Sequence, residues 1–305
     1  MLNFLSFNIA LFIKKIMHIL HRQHLLMGVF YACLSALCFA LMSIVIKLIG
    51  ERASTDTIVF ARFSMSLLFI LPWIVKSPKA LFKEINFFRL ASRTFSSLLS
   101  IACFFYALKY LSLTDALLLN NTAPIFVPII LALTHRISTP WGIWLGIGVG
   151  FIGIAFVLKP QLAFLQPATL IGLASGIFSA ISYVLIRFLT KAHSITQILF
   201  YNFLLSTFIS ALFLPLDWVS FDREVLFLLV LMGLLGCVYQ FFFTYSLAKA
   251  PIRITSSLSF LAVVLGAIAD FVIWNQAQDF YDWMGITCVI LGGILVIYFG
   301  KKEFK

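Results

Sequence analysis

Residues 25–49 read LLMGVFYACLSALCFALMSIVIKLI, twenty-five positions with a single charge, Lys47, near the far end. As a helix rising about 1.5 Å per residue, this stretch is about 37 Å long. The hydrocarbon core of a bilayer is about 30 Å thick, so the stretch is long enough to cross it. Backbone groups in lipid must be hydrogen-bonded within their own segment, which makes a helix the only form an isolated run of this kind can take.

The same pattern recurs along the chain. Further apolar runs cover Ile58–Val75, Phe87–Leu108, Ala116–Leu133, Trp141–Leu158, Leu170–Leu189, Ile198–Leu216, Val225–Leu247, Ile254–Trp274 and Trp283–Phe299. The separators are turn-like, such as Glu51 to Asp56, His135 to Pro140 and Asn275 to Asp282. The expected fold is therefore an all-α integral membrane protein of ten transmembrane helices. Residues 1–24 are apolar but interrupted by Lys14 and Lys15, and no small-residue cleavage site follows. They read as a leader or an interfacial segment rather than a signal peptide, and Met17 and Met27 are alternative starts.

Composition agrees. Apolar residues make up 62% of the chain and charged residues 11%, against about a half and a quarter in soluble domains. The net charge of +11 is not gathered into a basic patch, which argues against nucleic acid as a partner. The cations sit between apolar runs, where they set topology. Lys14, Lys15, Arg22, Lys76, Lys79, Lys83, Arg89, Arg136, Arg187, Lys191, Lys249, Arg253, Lys301, Lys302 and Lys305 fall on one side. Arg52, Lys109, Lys159 and Arg223 fall on the other, and Lys47, Arg62 and Arg93 lie within spans. The positive-inside rule then puts both termini in the cytoplasm, the membrane being the inner (plasma) membrane of a bacterium.

The halves repeat. Gly28, Ser35-Ala36 and Lys47 match Gly172, Ser179-Ala180 and Lys191 at an offset of 144. Tyr106-Ala107-Leu108 matches Tyr245-Ser246-Leu247, and Gly146 and Gly153 match Gly285 and Gly292, both at an offset of 139. This divides the chain into a first repeat at 25–158 and a second at 170–300. An odd number of spans per repeat requires the second copy to insert upside down, the inverted-repeat plan of many secondary transporters.

The stretch Phe105-Tyr106-Ala107-Leu108-Lys109-Tyr110-Leu111-Ser112-Leu113-Thr114-Asp115-Ala116, running on to Asn120-Asn121-Thr122-Ala123-Pro124-Ile125-Phe126, resembles the drug/metabolite transporter superfamily, EamA type. The resemblance covers about residues 25–300. It implies a ten-helix transporter of amino acids, nucleotide sugars, purines, drugs or S-adenosylmethionine. Two acidic positions common in that family are Arg136 and Asn275 here, and the second-half proline is replaced by Val263.

Strongly polar residues within spans are functional candidates. Pro124 lacks an N–H, which frees the Asn120 carbonyl beside two amides, Asn120 and Asn121. These three are expected at a substrate-binding site, with Tyr239, Gln240 and Ser257 from the second half and Tyr106 and Tyr183 as an aromatic wall. Each also has a plainer role, in packing or in helix–helix hydrogen bonding. Arg62 and Asp270 are expected as a gating pair near the outer mouth. Lys47 and Arg93 are expected to snorkel. Few charges near the midplane favour a neutral or zwitterionic solute, such as an amino acid or S-adenosylmethionine, carried by alternating access. Gly142, Gly146 and Gly150 allow close helix packing, within the chain or in a homodimer. Cys33, Cys38, Cys103, Cys237 and Cys288 form no CxxC pair, so no metal or redox site is expected. No Walker loop or HExxH appears, and no cofactor is implied. The alternatives are a lipid-modifying membrane enzyme, which needs intramembrane acid–base groups, and a non-transporting membrane partner, which needs larger loops or domains.

Overall fold

The computed structural model describes residues 2–76, 86–135, 140–157, 166–214, 222–276 and 279–300, and for residues 2–22 the backbone only. Lys79, Lys83, Arg136, Lys159, Lys301, Lys302, Lys305 and the loop residue Asp217, all used in the topology reading, lie outside the described residues.

The described secondary structure is helical. The helices are α1 (Leu2–Ile49), α2 (Thr55–Lys76), α3 (Phe87–Tyr110), α4 (Leu113–Asn120), α5 (Ala123–His135), α6 (Trp141–Val157), α7 (Pro167–Leu189), α8 (Ile195–Ala211), α9 (Arg223–Lys249), α10 (Ile252–Leu258), α11 (Phe260–Trp274) and α12 (Phe280–Gly300). Seven helical segments are long and apolar enough to cross a membrane, namely Gln23–Ile49, Thr55–Val75, Phe87–Tyr110, Leu113–Thr134, Pro167–Leu189, Arg223–Lys249 and Ile252–Trp274. The runs expected as the fifth, seventh and tenth spans contain shorter apolar helices, Trp141–Gly153, Ile195–Ala211 and Phe280–Val296. The protein is an integral membrane protein, and its outer face carries large apolar side chains such as Trp73, Phe88, Trp141 and Phe271.

Two expected spans are broken in mid-course. Within the fourth, α4 ends at Asn120 and α5 starts at Ala123. The break precedes Pro124, which occupies the first turn of α5, where its missing N–H costs nothing. Asn121 N bonds back to Leu117 O at 2.9 Å and Thr122 Oγ1 to Leu119 O at 2.7 Å, so side chain and backbone both close the end of α4. Gly176 on α7 lies against this break. A Cβ there would sit 2.6 Å from Leu119 O, so only glycine admits so close an approach. Within the ninth span, α10 ends at Leu258 and α11 starts at Phe260, with Ser259 Oγ bonded to Ser256 O. No proline is present there, and a serine turn makes the interruption.

The span-five glycines are used inside the chain. Cβ atoms at Gly142, Gly146 and Gly153 would strike α12, at Phe299, at Gly292 O (2.8 Å) and at Val289 N (2.7 Å), while one at Gly150 would strike Ile125 of α5. Small residues here permit backbone-to-backbone packing of α6 on α12.

Candidate functional site

A polar pocket lies between helices of the two halves. It is lined by Phe39 of α1, Ser97, Ser100 and Ile101 of α3, Asn120 of α4, Ser179, Ser182, Tyr183 and Ile186 of α7, and Tyr239 and Gln240 of α9. The Asn120 amide donates to Ser175 Oγ at 3.0 Å, Ser179 Oγ at 3.4 Å and Ser100 Oγ at 3.5 Å, while Ser100 and Ser179 hydroxyls bond at 2.6 Å. Asn120 can point this way because α4 stops there. Aromatic rings form the opposite wall: Phe39 and Tyr239 lie 4.9 Å apart, and Tyr183 packs on Phe243 at 4.4 Å. The cavity holds only about 20 Å³, room for about one water. No metabolite fits without helix movement, so this conformation is closed around the pocket.

Four of the eight residues expected at a binding site line this pocket: Asn120, Tyr183, Tyr239 and Gln240. The other four are placed elsewhere. Asn121 turns its amide back to Leu117 O at 2.8 Å, a helix-ending role. Pro124 is inside α5. Tyr106 packs on Tyr110, with ring centroids 4.9 Å apart. Ser257 approaches Gly293 O of α12 at 3.5 Å. Sequence reasoning passed over Ser97, Ser100, Ser179 and Ser182. Their signal was spacing: Ser175, Ser179 and Ser182 recur at four and three residues, so they share one face of α7, and Ser97 and Ser100 do the same on α3.

Beyond the pocket, polar contacts join the helices on either side. On one, the Asp270 carboxylate of α11 takes Lys47 Nζ of α1 at 3.0 Å. It also accepts Thr114 Oγ1 at 2.7 Å, Thr114 N at 2.8 Å and Leu113 N at 3.3 Å from the start of α4. A carboxylate is favoured there by the exposed N–H groups of a helix N-terminus. A vestibule of about 200 Å³ opens beside this knot, lined by Lys47, Thr55, Lys109, Leu111 and Trp274 among others. On the other, Arg187 of α7 bonds to Leu247 O of α9 at 2.5 Å, and Ser246 Oγ of α9 bonds to Gly28 O of α1 at 2.7 Å.

Three expectations about charge are corrected. Asp270 pairs with Lys47 and not with Arg62, whose nitrogens make no hydrogen bond among the described residues. Lys47 does not snorkel, because a buried carboxylate is within its reach. Arg93 does not snorkel either: its side chain is fully enclosed, as is that of Arg62. The interior of the helix bundle therefore holds two cations that the sequence reading had assigned to its rims.

A bundle of long apolar helices around a small polar pocket defines a polytopic membrane protein. The chain belongs to the EamA-like transporter family, whose profile matches twice, at residues 26–159 and 166–298. It is similar over nearly its full length to an uncharacterized transporter of Helicobacter pylori strain ATCC 700392 / 26695 (25% identity, 90% of this chain and 96% of the relative). Two further relatives are an S-adenosylmethionine uptake transporter of Rickettsia prowazekii strain Madrid E (25%, 91% and 95%) and a pseudopaline exporter, CntI, of Pseudomonas aeruginosa strain UCBPP-PA14 (25%, 88% and 93%). A protein of known crystal structure shares the fold, with a TM-score of 0.64 at 16% identity, covering 92% of this chain and 99% of its own. As a member of that family the protein is a transporter and not an enzyme.

Proposed function

We propose that the protein is a secondary transporter of ten spans in two inverted five-helix repeats, carrying a small organic metabolite by alternating access. The observation that carries this reading is the small Asn120–Ser100–Ser179–Tyr183–Tyr239–Gln240 pocket, built from both halves, with polar contacts between helices on either side of it. Packing supports the repeat. In the first half α1 lies on α9, and in the second its counterpart α7 lies on α3; α6 packs on α12 and α2 on α8. This is the exchange of partners that a two-fold relation between the repeats produces, and an odd number of spans in each would lay its axis in the membrane plane. The interruption at Asn120–Thr122 recurs at Ser259, which the 139-residue offset aligns with Asn120.

Of the neutral and zwitterionic solutes the sequence favoured, the zwitterionic class fits better, with an amino acid or S-adenosylmethionine as its types. Amide and hydroxyl groups of the pocket suit a polar solute, and the rings of Phe39, Tyr183 and Tyr239 suit its body. Site accessibility tests the mechanism. On a cysteine-free background, Ser182→Cys is expected to react with an impermeant thiol reagent from each side in turn, as conditions favour one state or the other. Reaction from one side only, whatever the conditions, refutes alternating access.

A further inference from the structure

The largest fully buried side chains include two guanidinium groups that neither the pocket nor the polar contacts beside it use. Arg62 of α2 and Arg93 of α3 are each 0% exposed. Nε, Nη1 and Nη2 of both lack a hydrogen-bond partner among the described residues. Phe63 and Phe203 flank Arg62, with ring centroids 4.4 and 5.9 Å from its Cζ. Such contacts stabilise the face of a guanidinium but leave its five in-plane N–H donors unmet. Arg62 Nε lies against Gly236 of α9, three residues before the pocket residue Tyr239: a Cβ on Gly236 would be 3.4 Å from it. Ser97, also on the pocket, is one helical turn from Arg93. The side chains of Asn202, which precedes Phe203, and of Ser206 one turn further along α8 are likewise buried without a partner.

Two unpaired like charges in the interior of a membrane protein are strongly unfavourable, and sites that keep them are held by what binds there. Arg62 and Arg93 make no hydrogen bond to a carboxylate among the described residues, and Asp270 and Glu224 are paired with Lys47 and Arg52. We infer that Arg62 and Arg93 anchor a carboxylate of the transported solute, which reaches them from the central pocket past Tyr239 and Ser97. Guanidinium forks match a carboxylate bidentately. The neutral amides, hydroxyls and rings of the pocket then hold the organic remainder. This rests on the reading of the pocket as the transport site. It also reverses the premise that few charges lie inside, on which a neutral or zwitterionic solute was favoured, and admits an anionic one.

The test uses the purified full-length protein with glutamate, succinate, the diamide of glutamate, succinamide and inorganic phosphate as probes, alongside Arg62→Gln and Arg93→Gln. Glutamate and succinate are expected to raise the melting temperature, and the two diamides, which carry no carboxylate, to do so less. Each variant is expected to bind the carboxylates roughly ten- to a hundred-fold more weakly, as befits loss of a charged hydrogen-bond partner. Without ligand, each variant is expected to melt no lower than the parent, because a stranded charge has been removed. Amides that protect as well as acids, protection by phosphate alone, or ligand-free variants that melt lower than the parent would each overturn the anchor. Flux in proteoliposomes separates this from the transport reading. If solutes are carried and Arg62→Gln carries glutamate at the parent rate, the anchor alone fails. If nothing is carried while carboxylates still protect in an arginine-dependent way, the transport reading alone fails.

Discussion

Replacing Asp270 by alanine is expected to open the vestibule end of the transporter. The Asp270 carboxylate joins three elements, α1 through Lys47, α4 through Leu113 and Thr114, and its own α11. It is fully buried, and the Lys47 side chain is only 15% exposed. Removing one member of a buried pair costs about 3–5 kcal/mol, because the other charge is stranded. If the knot exists only in the closed state, that cost shifts the closed-to-open ratio by roughly a hundredfold or more, at about 1.4 kcal/mol per factor of ten. Lys47→Ala is expected to cost less, about 1.5–3 kcal/mol, since three donors remain on Asp270. The readout is the labelling rate of Leu111→Cys, in the vestibule wall, by an impermeant maleimide on a cysteine-free background. Asp270→Ala should speed it by about tenfold or more, and Lys47→Ala by less. A double-mutant cycle should show coupling of about 1 kcal/mol or more for Lys47 with Asp270, and none beyond about 0.5 kcal/mol for Arg62 with Asp270. Unchanged labelling in Asp270→Ala, or strong coupling to Arg62, refutes the latch.

Three other outcomes follow from the same geometry. Asn120→Ala should cut transport about tenfold at near-normal membrane abundance, whereas Asn121→Ala should cost about 1 kcal/mol of stability and spare transport; the reverse pattern in uptake assays and melting curves would show that the wrong amide has been placed in the pocket. Gly146→Leu forces a side chain into Gly292 O and α12, so its melting temperature should fall by several degrees, and an unchanged value means that α6 and α12 are not in contact. Reporter fusions after Lys191 and Lys305 should read cytoplasmic and one after Asp217 periplasmic, and a periplasmic Lys305 means an odd number of spans.

What the sequence made legible was whatever depends on neighbours along the chain. Runs of about twenty apolar residues marked the long spans, and Pro124 marked a lost helical hydrogen bond in the fourth, though not that the helix ends at Asn120. The glycines of span five marked a close contact, though not that its partner was α12. Long-range pairing was not legible. Lys47 and Asp270 are 223 positions apart, and only packing of α1 beside α11 decides that Lys47, not Arg62, reaches the carboxylate. Arg93 looked like a rim residue because position in a span was used as a measure of depth, whereas the helices packed around α3 determine its burial. The break at Ser259 has no proline to announce it. Serine is tolerated in mid-span, so a serine stripe reads equally as packing or as site until the facing helix is known.

The central claim, that this chain alone moves a small organic solute across a bilayer, is tested most directly by flux into proteoliposomes holding only the purified protein. Vesicles preloaded with unlabelled amino acids, dicarboxylates or S-adenosylmethionine should accumulate the matching labelled solute by counterflow. Accumulation should saturate with concentration and drop about tenfold in Asn120→Ala. Entry no faster than into protein-free vesicles for every solute of these classes, or equal entry in Asn120→Ala, contradicts the account.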